Sequence, residues 1–379
     1  MKIVLIPDKF KGSLTSREVI MALSKGIRKA ESEAQIHHLI ASDGGDGFLD
    51  AVASNLKVEK IYCDTLDPLG RKISAPYLFN REKGEAYVEM AKASGMVLLT
   101  EQERNPMHTS TLGTGIQMRH AITQGATKIF LGLGGSATND GGTGIAEALG
   151  YTFIDALGKR VKTTGEGLNK IHTITSEKVI KEVKNVSFYA VNDVNNPLHG
   201  PDGAAFVYAK QKGASDHEIG FLDAGLKHLD TLIQSQLNKK NALIPGSGAA
   251  GGAAYGLMSF LEAKFLSGID FMLNLTDIHT LFQSQHIDLI ITGEGKFDRQ
   301  TLSGKLIHGV IELGKKYQIP VVAVCGALEL DKQLCLDSGL EEVFEIRDHS
   351  KSIAYSMENA GKLVEDTMYK FMTSRKGQY

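Results

Sequence analysis

Three observations predict an α/β protein whose main sheet is parallel and assembled from both ends of the chain. Runs at residues 2–7, 287–292, 321–325 and 343–347 read as strands, the first apolar on both faces as inside a parallel sheet. Each is followed by a charged or glycine-bearing loop and then a helical pattern, which is the alternation of βα units. Between these ends the alternation breaks into antiparallel signals, so a large mixed α/β domain is expected as an insertion.

Taken in order, Lys2–Pro7 is apolar on both faces and ends at Asp8-Lys9-Phe10-Lys11-Gly12-Ser13. Thr15 or Ser16 caps a helix running to about Ala30, and Glu18 stands at capping-box spacing from Thr15. Residues 37–41 form a second strand that ends at Ser42-Asp43-Gly44-Gly45-Asp46-Gly47, with a helix to about Asn55. Ligands of open parallel sheets bind beyond the carboxyl ends of the strands, so Lys9, Lys11, Asp43 and Asp46 are expected along one edge, Asp46 as a helix cap. From Lys60 the strands 61–67, 72–79 and 85–90 are separated by Pro68-Leu69-Gly70 and Glu82-Lys83-Gly84, which is an antiparallel meander. A helix at 111–124, a strand at 129–131, a polar stretch at 155–184, a strand at 186–191 and helices at 216–238 and 251–265 follow. The alternation then resumes, with helices at 305–317, 331–338 and 352–373. Together the two ends supply five βα units, a flavodoxin-like (Rossmann-like) sheet from residues 1–65 and 276–379, with 66–275 inserted as an α/β domain.

A length of 379 residues suits two domains, and 42% hydrophobic with 23% charged residues is ordinary globular composition. The formal net charge of −2 leaves no electrostatic footprint for nucleic acid or an acidic membrane. Three cysteines without a C-x-x-C pair give neither a disulfide framework nor a zinc site. The apolar start is too short for a signal peptide and no run is long enough to span a bilayer, so a cytoplasmic protein is expected.

Chemistry concentrates in three loops. The first, after the strand at 129–131, carries glycines at 132, 134, 135, 141, 142 and 144 around Ser136, Thr138, Asn139 and Asp140. With no bulky side chain, its backbone can approach a ligand closely and its N–H groups can cradle an anion. In the second, Glu294, Asp298 and Lys305 follow a buried strand, a set that suits Mg²⁺ and phosphate oxygens as well as it suits a structural ion pair. In the third, Asp193 lies among Asn192, Asn195 and Asn196, fit for a base or for an Asx turn. Gly304-Lys305 is not a Walker A loop, since Arg299 and Leu306 stand where Gly and Ser/Thr are required. The G-x-G-x-x-[GA] matches at 132–137 and 246–251 are weak in a chain of 41 glycines, and an NAD-dependent hydroxyacid dehydrogenase is disfavoured because no His–Asp pairing or ribose-binding acid sits in register with the first strand.

The segments DKFKGSL (8–14), SDGGDG (42–47), DPLGR (67–71), RNPMHTS (104–110), GGSATNDGGTG (134–144), DVNNPL (193–198), GAAGGAAYGL (248–257) and TGEGKFDRQTLSGK (292–305) resemble, in order along the chain, the bacterial glycerate kinase family of the 2-kinase type. The resemblance implies ATP- and Mg²⁺-dependent phosphorylation of D-glycerate, in a cleft between a Rossmann-like domain and an inserted domain, by a monomer or homodimer. Lys9, Asp46, Phe48, Ala254 and Ile307 depart from the family's usual Ser, Glu, Thr, Gly and Pro. On this footing Asp193 is expected to act as base with Lys11 and Asp298 in the catalytic set. Ser136, Thr138, Asn139, Asp140 and Arg71 are expected to bind substrate. Phosphate and nucleotide fall to Lys9, Ser13, Asp43, Gly134, Gly135, Gly251, Gly252 and Lys305, and the metal to Glu294 and Asp298. The competing reading is a nucleotide- or sugar-acid-binding regulatory protein that keeps the fold without the chemistry; it would need the glycines but not Asp193, Glu294 and Asp298 together.

Overall fold

The computed structural model describes residues 1–40, 45, 47–276, 278–298, 301 and 306–376, with the side chains of 274 and 376 set aside. Two compact units are formed, Met1–Ser42 with Gly268–Tyr379, and Asp43–Ser267.

The first unit holds a five-stranded parallel sheet in the order Gln35–His38, Lys2–Pro7, Leu289–Phe297, Val321–Leu328, Glu342–Glu345. In chain order that is 2-1-3-4-5, the flavodoxin-like arrangement expected from the βα units. Ile3 to Ile6 are fully buried because helices cover both faces of such a sheet. Register places Pro7 beside Gly293 and Glu294 beside Cys325, so the loops after these strands leave the same edge.

Thr15 caps the helix Ser16–Ala30 through a capping box with Glu18, as its spacing predicts. Val19, Leu23 and Ile27 turn inward with Val364 and Met368 of the helix Ala360–Lys376. Gly26 sits where the two helices meet, and a Cβ there would stand 2.4 Å from the Glu365 carbonyl oxygen. Glu365 receives Lys25 and Lys29 at 2.9 and 3.0 Å, which hold its carboxyl down at about 2.

The second unit is built on a six-stranded sheet in the order Lys264–Leu266, Ser187–Val191, Lys128–Gly132, Glu85–Glu89, Lys72–Asn80, Glu59–Leu66. The first four strands are parallel and the last two continue antiparallel, which is the predicted meander. Tyr87, Phe130 and Tyr189 stack across three of these strands at 5.3 and 4.7 Å between centroids. Glu89, Gly132, Val191 and Leu266 lie level across the sheet, so four parallel strands release their loops along one line.

Several sequence boundaries shift, among them the return to the first unit, at residue 268 and not 276, and the second strand, at Gln35–His38 and not 37–41. The chain passes to the second unit at residue 43, not 65, because the helix Phe48–Asn55 packs on the second sheet and Leu49 N–H donates to Glu89 Oε2 at 3.0 Å. The helix expected through 265 is Ala249–Leu261, stopped by Glu262 in the left-handed region, and Lys264–Leu266 pairs with Ser187–Val191 instead. The last helix is two, Ile353–Glu358 and Ala360–Lys376.

Helix propensity alone would have alanine at position 26 stabilise the protein by about 1 kcal/mol. The backbone oxygen of Glu365 reverses the sign, since forcing a methyl into a packed contact costs about 1–3 kcal/mol. Gly26→Ala should therefore lower the urea midpoint; an unchanged or raised midpoint would show that the helices separate without cost.

Candidate functional site

The glycine-rich loop of the second unit begins where Lys128–Gly132 ends, and it is held from below. Gly134 lies so close to Gly45 that a Cβ would come within 2.1 Å of the Gly45 Cα, so this contact is backbone against backbone. On another side, a Cβ on Gly251 would stand 2.0 Å from the Thr138 carbonyl oxygen. Ala250, Gly251 and Gly252 are all left-handed (φ 54, 66 and 82°), and the Gly251 carbonyl accepts from Gly141 N–H at 3.1 Å. Gly251 and Gly252, expected to meet phosphate, thus pack against the glycine-rich loop.

Asp140 is fully buried and anchors the loop. Its Oδ2 accepts from Thr111 N–H (2.8 Å), Thr111 Oγ1 (2.7 Å) and Gly144 N–H (3.3 Å), and its Oδ1 from Gly142 N–H (3.1 Å). Thr111 and Gly142 stand at the starts of the helices Leu112–Thr123 and Thr143–Ala148, where unpaired N–H groups favour negative charge. Burial pushes the carboxyl's pKa up and these donors oppose it. Four donors from the protein thus occupy the side chain expected to bind substrate.

The residues between the anchors differ. Thr138 Oγ1 and both amide atoms of Asn139 are buried and meet no hydrogen-bond partner among the described residues. Buried polar atoms left unpaired are costly, and three in one turn make this segment a candidate for contact with a ligand. Ser136, also buried, accepts through Oγ from Lys212 Nζ at 2.8 Å, and the Thr138 carbonyl accepts from the same amine at 2.7 Å.

Lys212 is 3% exposed, and burial brings its pKa down to about 7 against the pull of Asp140. Sequence reasoning missed it. In Ala-Lys-Gln-Lys-Gly both lysines look like solvated charge; Lys210 is indeed outside, paired with Asp216 at 3.0 Å, while Lys212 turns in. Only Gly213, left-handed at φ 98°, hints that the chain reverses there.

Asp193 follows Ser187–Val191, the strand beside Lys128–Gly132, so its loop leaves the same sheet edge as the glycine loop. Its neighbours are fixed. Asn192 Oδ1 accepts from Val194 N–H at 3.2 Å, while Asn196 donates to the Asp202 carbonyl and accepts from Tyr208 Oη. Arg71 is elsewhere engaged: its guanidinium pairs with Asp67 and with Glu103 at 2.6 Å, and Asp67 also accepts from Leu69 and Arg71 N–H at 2.9 Å. The Asp67–Arg71 motif locks a turn, and the guanidinium expected to bind substrate is paired with Asp67 and Glu103.

In the first unit, buried Thr301 links the Glu294 side chain to the backbone of Asp298. Its hydroxyl donates to Glu294 Oε1 and accepts from Asp298 N–H at 3.1 Å. Lys296, between them, is held by Glu329 at 2.8 Å. Gly295 lies against the 8–14 loop, where a Cβ would stand 3.0 Å from Lys11 N, so Lys11 comes beside this strand end. Lys9 N–H donates to Asp8 Oδ1, and Ser13 Oγ donates to the Phe10 carbonyl at 3.1 Å, folding that loop on itself. Among the described residues no three His, Cys, Asp or Glu converge. Two carboxylates nonetheless fit Mg²⁺, which keeps waters and takes the rest of its ligands from phosphate. Asp43 and Lys305 lie outside the described residues.

A family model described as the glycerate kinase family matches residues 3–376. The chain is similar to the glycerate kinase of Halalkalibacterium halodurans, 37% identical over 96% of this chain and 95% of that one. It is also similar to the glycerate 2-kinase of Escherichia coli K12, 37% identical over 91% and 90%. A crystal structure designated glycerate kinase 2, from Salmonella typhimurium LT2, superposes with a TM-score of 0.84 at 33% identity, covering 100% of this chain and 99% of that one.

Asp140→Asn would turn an acceptor into a donor facing N–H groups inside the protein. Urea unfolding should show a loss of about 1–3 kcal/mol, the cost of unmet buried polar groups. A variant of unchanged stability whose substrate KM alone rises would return Asp140 to the role of ligand.

Proposed function

The chain belongs to the glycerate kinase family, and from that premise we propose that it transfers the γ-phosphoryl group of ATP to D-glycerate, at the 2-hydroxyl in preference to the 3-hydroxyl. The observation that carries this reading is the buried, unpartnered set of Thr138 Oγ1 and the Asn139 amide beside Ser136. A hydroxyl and an amide offering both donor and acceptor suit a small molecule dense in oxygen, such as a three-carbon hydroxy acid. The preference for the 2-hydroxyl draws on the name of the Escherichia coli relative.

In this reading Ser136, Thr138 and Asn139 hold and orient glycerate. Asp193 accepts the proton of the attacking hydroxyl as the new O–P bond forms and the bond from the γ-phosphorus to the ADP oxygen breaks. Lys11 meets phosphate charge, and Glu294 and Asp298 hold Mg²⁺, with Thr301 fixing the Glu294 side chain. Bound Mg²⁺ would offset the charge of the phosphate oxygens. The chain's contribution is otherwise positional, as expected for phosphoryl transfer, where little covalent chemistry falls to the protein. Asp193, Glu294 and Asp298, all present, favour an enzyme over a binding protein.

A coupled ADP-release assay should report turnover with D-glycerate and Mg-ATP, and little with L-glycerate or no acceptor; phosphorus-coupled proton NMR of the product should locate the phosphate on carbon 2. Turnover equal with and without D-glycerate would overturn the substrate assignment. Asp193→Asn should lower kcat by roughly 10²–10⁴ with the KM for ATP little changed. Glu294→Gln should raise the Mg²⁺ concentration needed for half-maximal rate. Near wild-type kcat in the first variant, or unchanged Mg²⁺ dependence in the second, would remove that residue from its role.

A further inference from the structure

Lys212 is a buried amine with few neighbours able to accept its protons. Its Nζ meets two neutral oxygens, Ser136 Oγ and the Thr138 carbonyl, and Asp140 is the charged side chain that acts on it. The charges on adjoining segments are engaged elsewhere: Lys210 with Asp216, and Glu218 with Ser215 and Asn105. Arg104 packs its backbone and Cβ against Gly213, and its buried Nε meets no hydrogen-bond partner among the described residues. Asp140 is itself saturated by Thr111, Gly142 and Gly144.

The protonation state of this amine decides what Ser136 can do. A neutral amine keeps a lone pair, so the Ser136 hydroxyl can spend its hydrogen on Lys212. An ammonium only donates, which leaves the Ser136 hydrogen for an outside acceptor. We propose that Lys212 is a positioning residue that turns the 136–139 segment into a carboxylate receptor, acting through Ser136 and taking up a proton as the carboxylate of a short hydroxy acid binds. This rests on the glycerate reading of the loop. An anion arriving on Ser136 favours the ammonium form, since a negative charge close to a buried amine stabilises its proton. With the unliganded amine near pH 7, it is mostly charged at pH 6 and mostly neutral at pH 8. Uptake on binding is therefore small at pH 6 and large at pH 8, and affinity for the hydroxy acid falls as pH rises past 7.

The test is calorimetric titration of the full chain with D-glycerate, with Mg²⁺ and a non-hydrolysable ATP analogue present, in two buffers of different ionisation enthalpy at pH 6 and at pH 8. The expected result is uptake approaching one proton at pH 8 and little at pH 6. Lys212→Met should abolish the pH-dependent uptake and weaken glycerate binding about 10- to 100-fold at pH 6, the scale of one charge-assisted hydrogen bond. Ser136→Ala, which keeps the lysine, should weaken binding and reduce the uptake. Binding with the same uptake at both pH values, or uptake retained in Lys212→Met, overturns the role of Lys212 and leaves the substrate reading standing. Absence of any binding of D-glycerate removes the substrate reading and this inference with it. The wild-type titration decides even if the methionine variant does not fold.

Discussion

One buried carboxylate holds the second unit's loop in shape. Asp140 gathers Thr111, Gly142 and Gly144 onto its two oxygens, so it ties the starts of the helices Leu112–Thr123 and Thr143–Ala148 to each other and to the turn between them. An ionised group is hard to keep inside a protein unless donors surround it. Here the donors are helix N-terminal groups that would otherwise lack partners, and each need meets the other. With its base fixed this way, the loop can leave Thr138 and Asn139 unpaired at its turn, a cost that a freely moving segment would relax away.

The two units differ in how directly local chemistry shows through. In the first, period, strand length and caps agree. Lys2–Pro7 is apolar on both faces because it lies between two strands and under helices, and Thr15 with Glu18 announces the helix that follows. Such elements are legible because their burial is set by their own residues. The short strand Lys264–Leu266 is not, since its pairing with Ser187–Val191 is decided by where the preceding helix stops, at left-handed Glu262. The domain boundary was misread for a related reason: the helix Phe48–Asn55 carries no mark of which sheet it covers, and a single acceptor, Glu89, draws its first turn to the second unit.

Functional residues divide along the same line. Six glycines in one loop, with small polar residues between them, exceed what a turn requires, and the structure puts buried orphan atoms there. Individual roles were less legible. Asp140 and Arg71 are polar residues in distinctive motifs, yet beside near neighbours in those motifs each also has a distant partner, Thr111 or Glu103, that the sequence does not position. Gly251 and Gly252 are glycines for the sake of packing, and Lys212 hides among ordinary surface lysines. Residue type reports what a side chain is able to do; the contacts that absorb or release that ability come from distant parts of the chain.

The backbone contacts around the loop also bear on how such a protein can change over generations. Where Gly134 meets Gly45, and Gly251 meets Thr138, main chain touches main chain, and no L side chain can enter without moving two segments at once. Drift is thereby barred from the mould and confined to what is cast in it: the side chains at 136, 138 and 139, and the amine behind them. On the proposed function, a lineage acquiring a different acceptor would exchange those few groups while the glycines around them stand still, so that new specificity arises by recolouring one fixed surface.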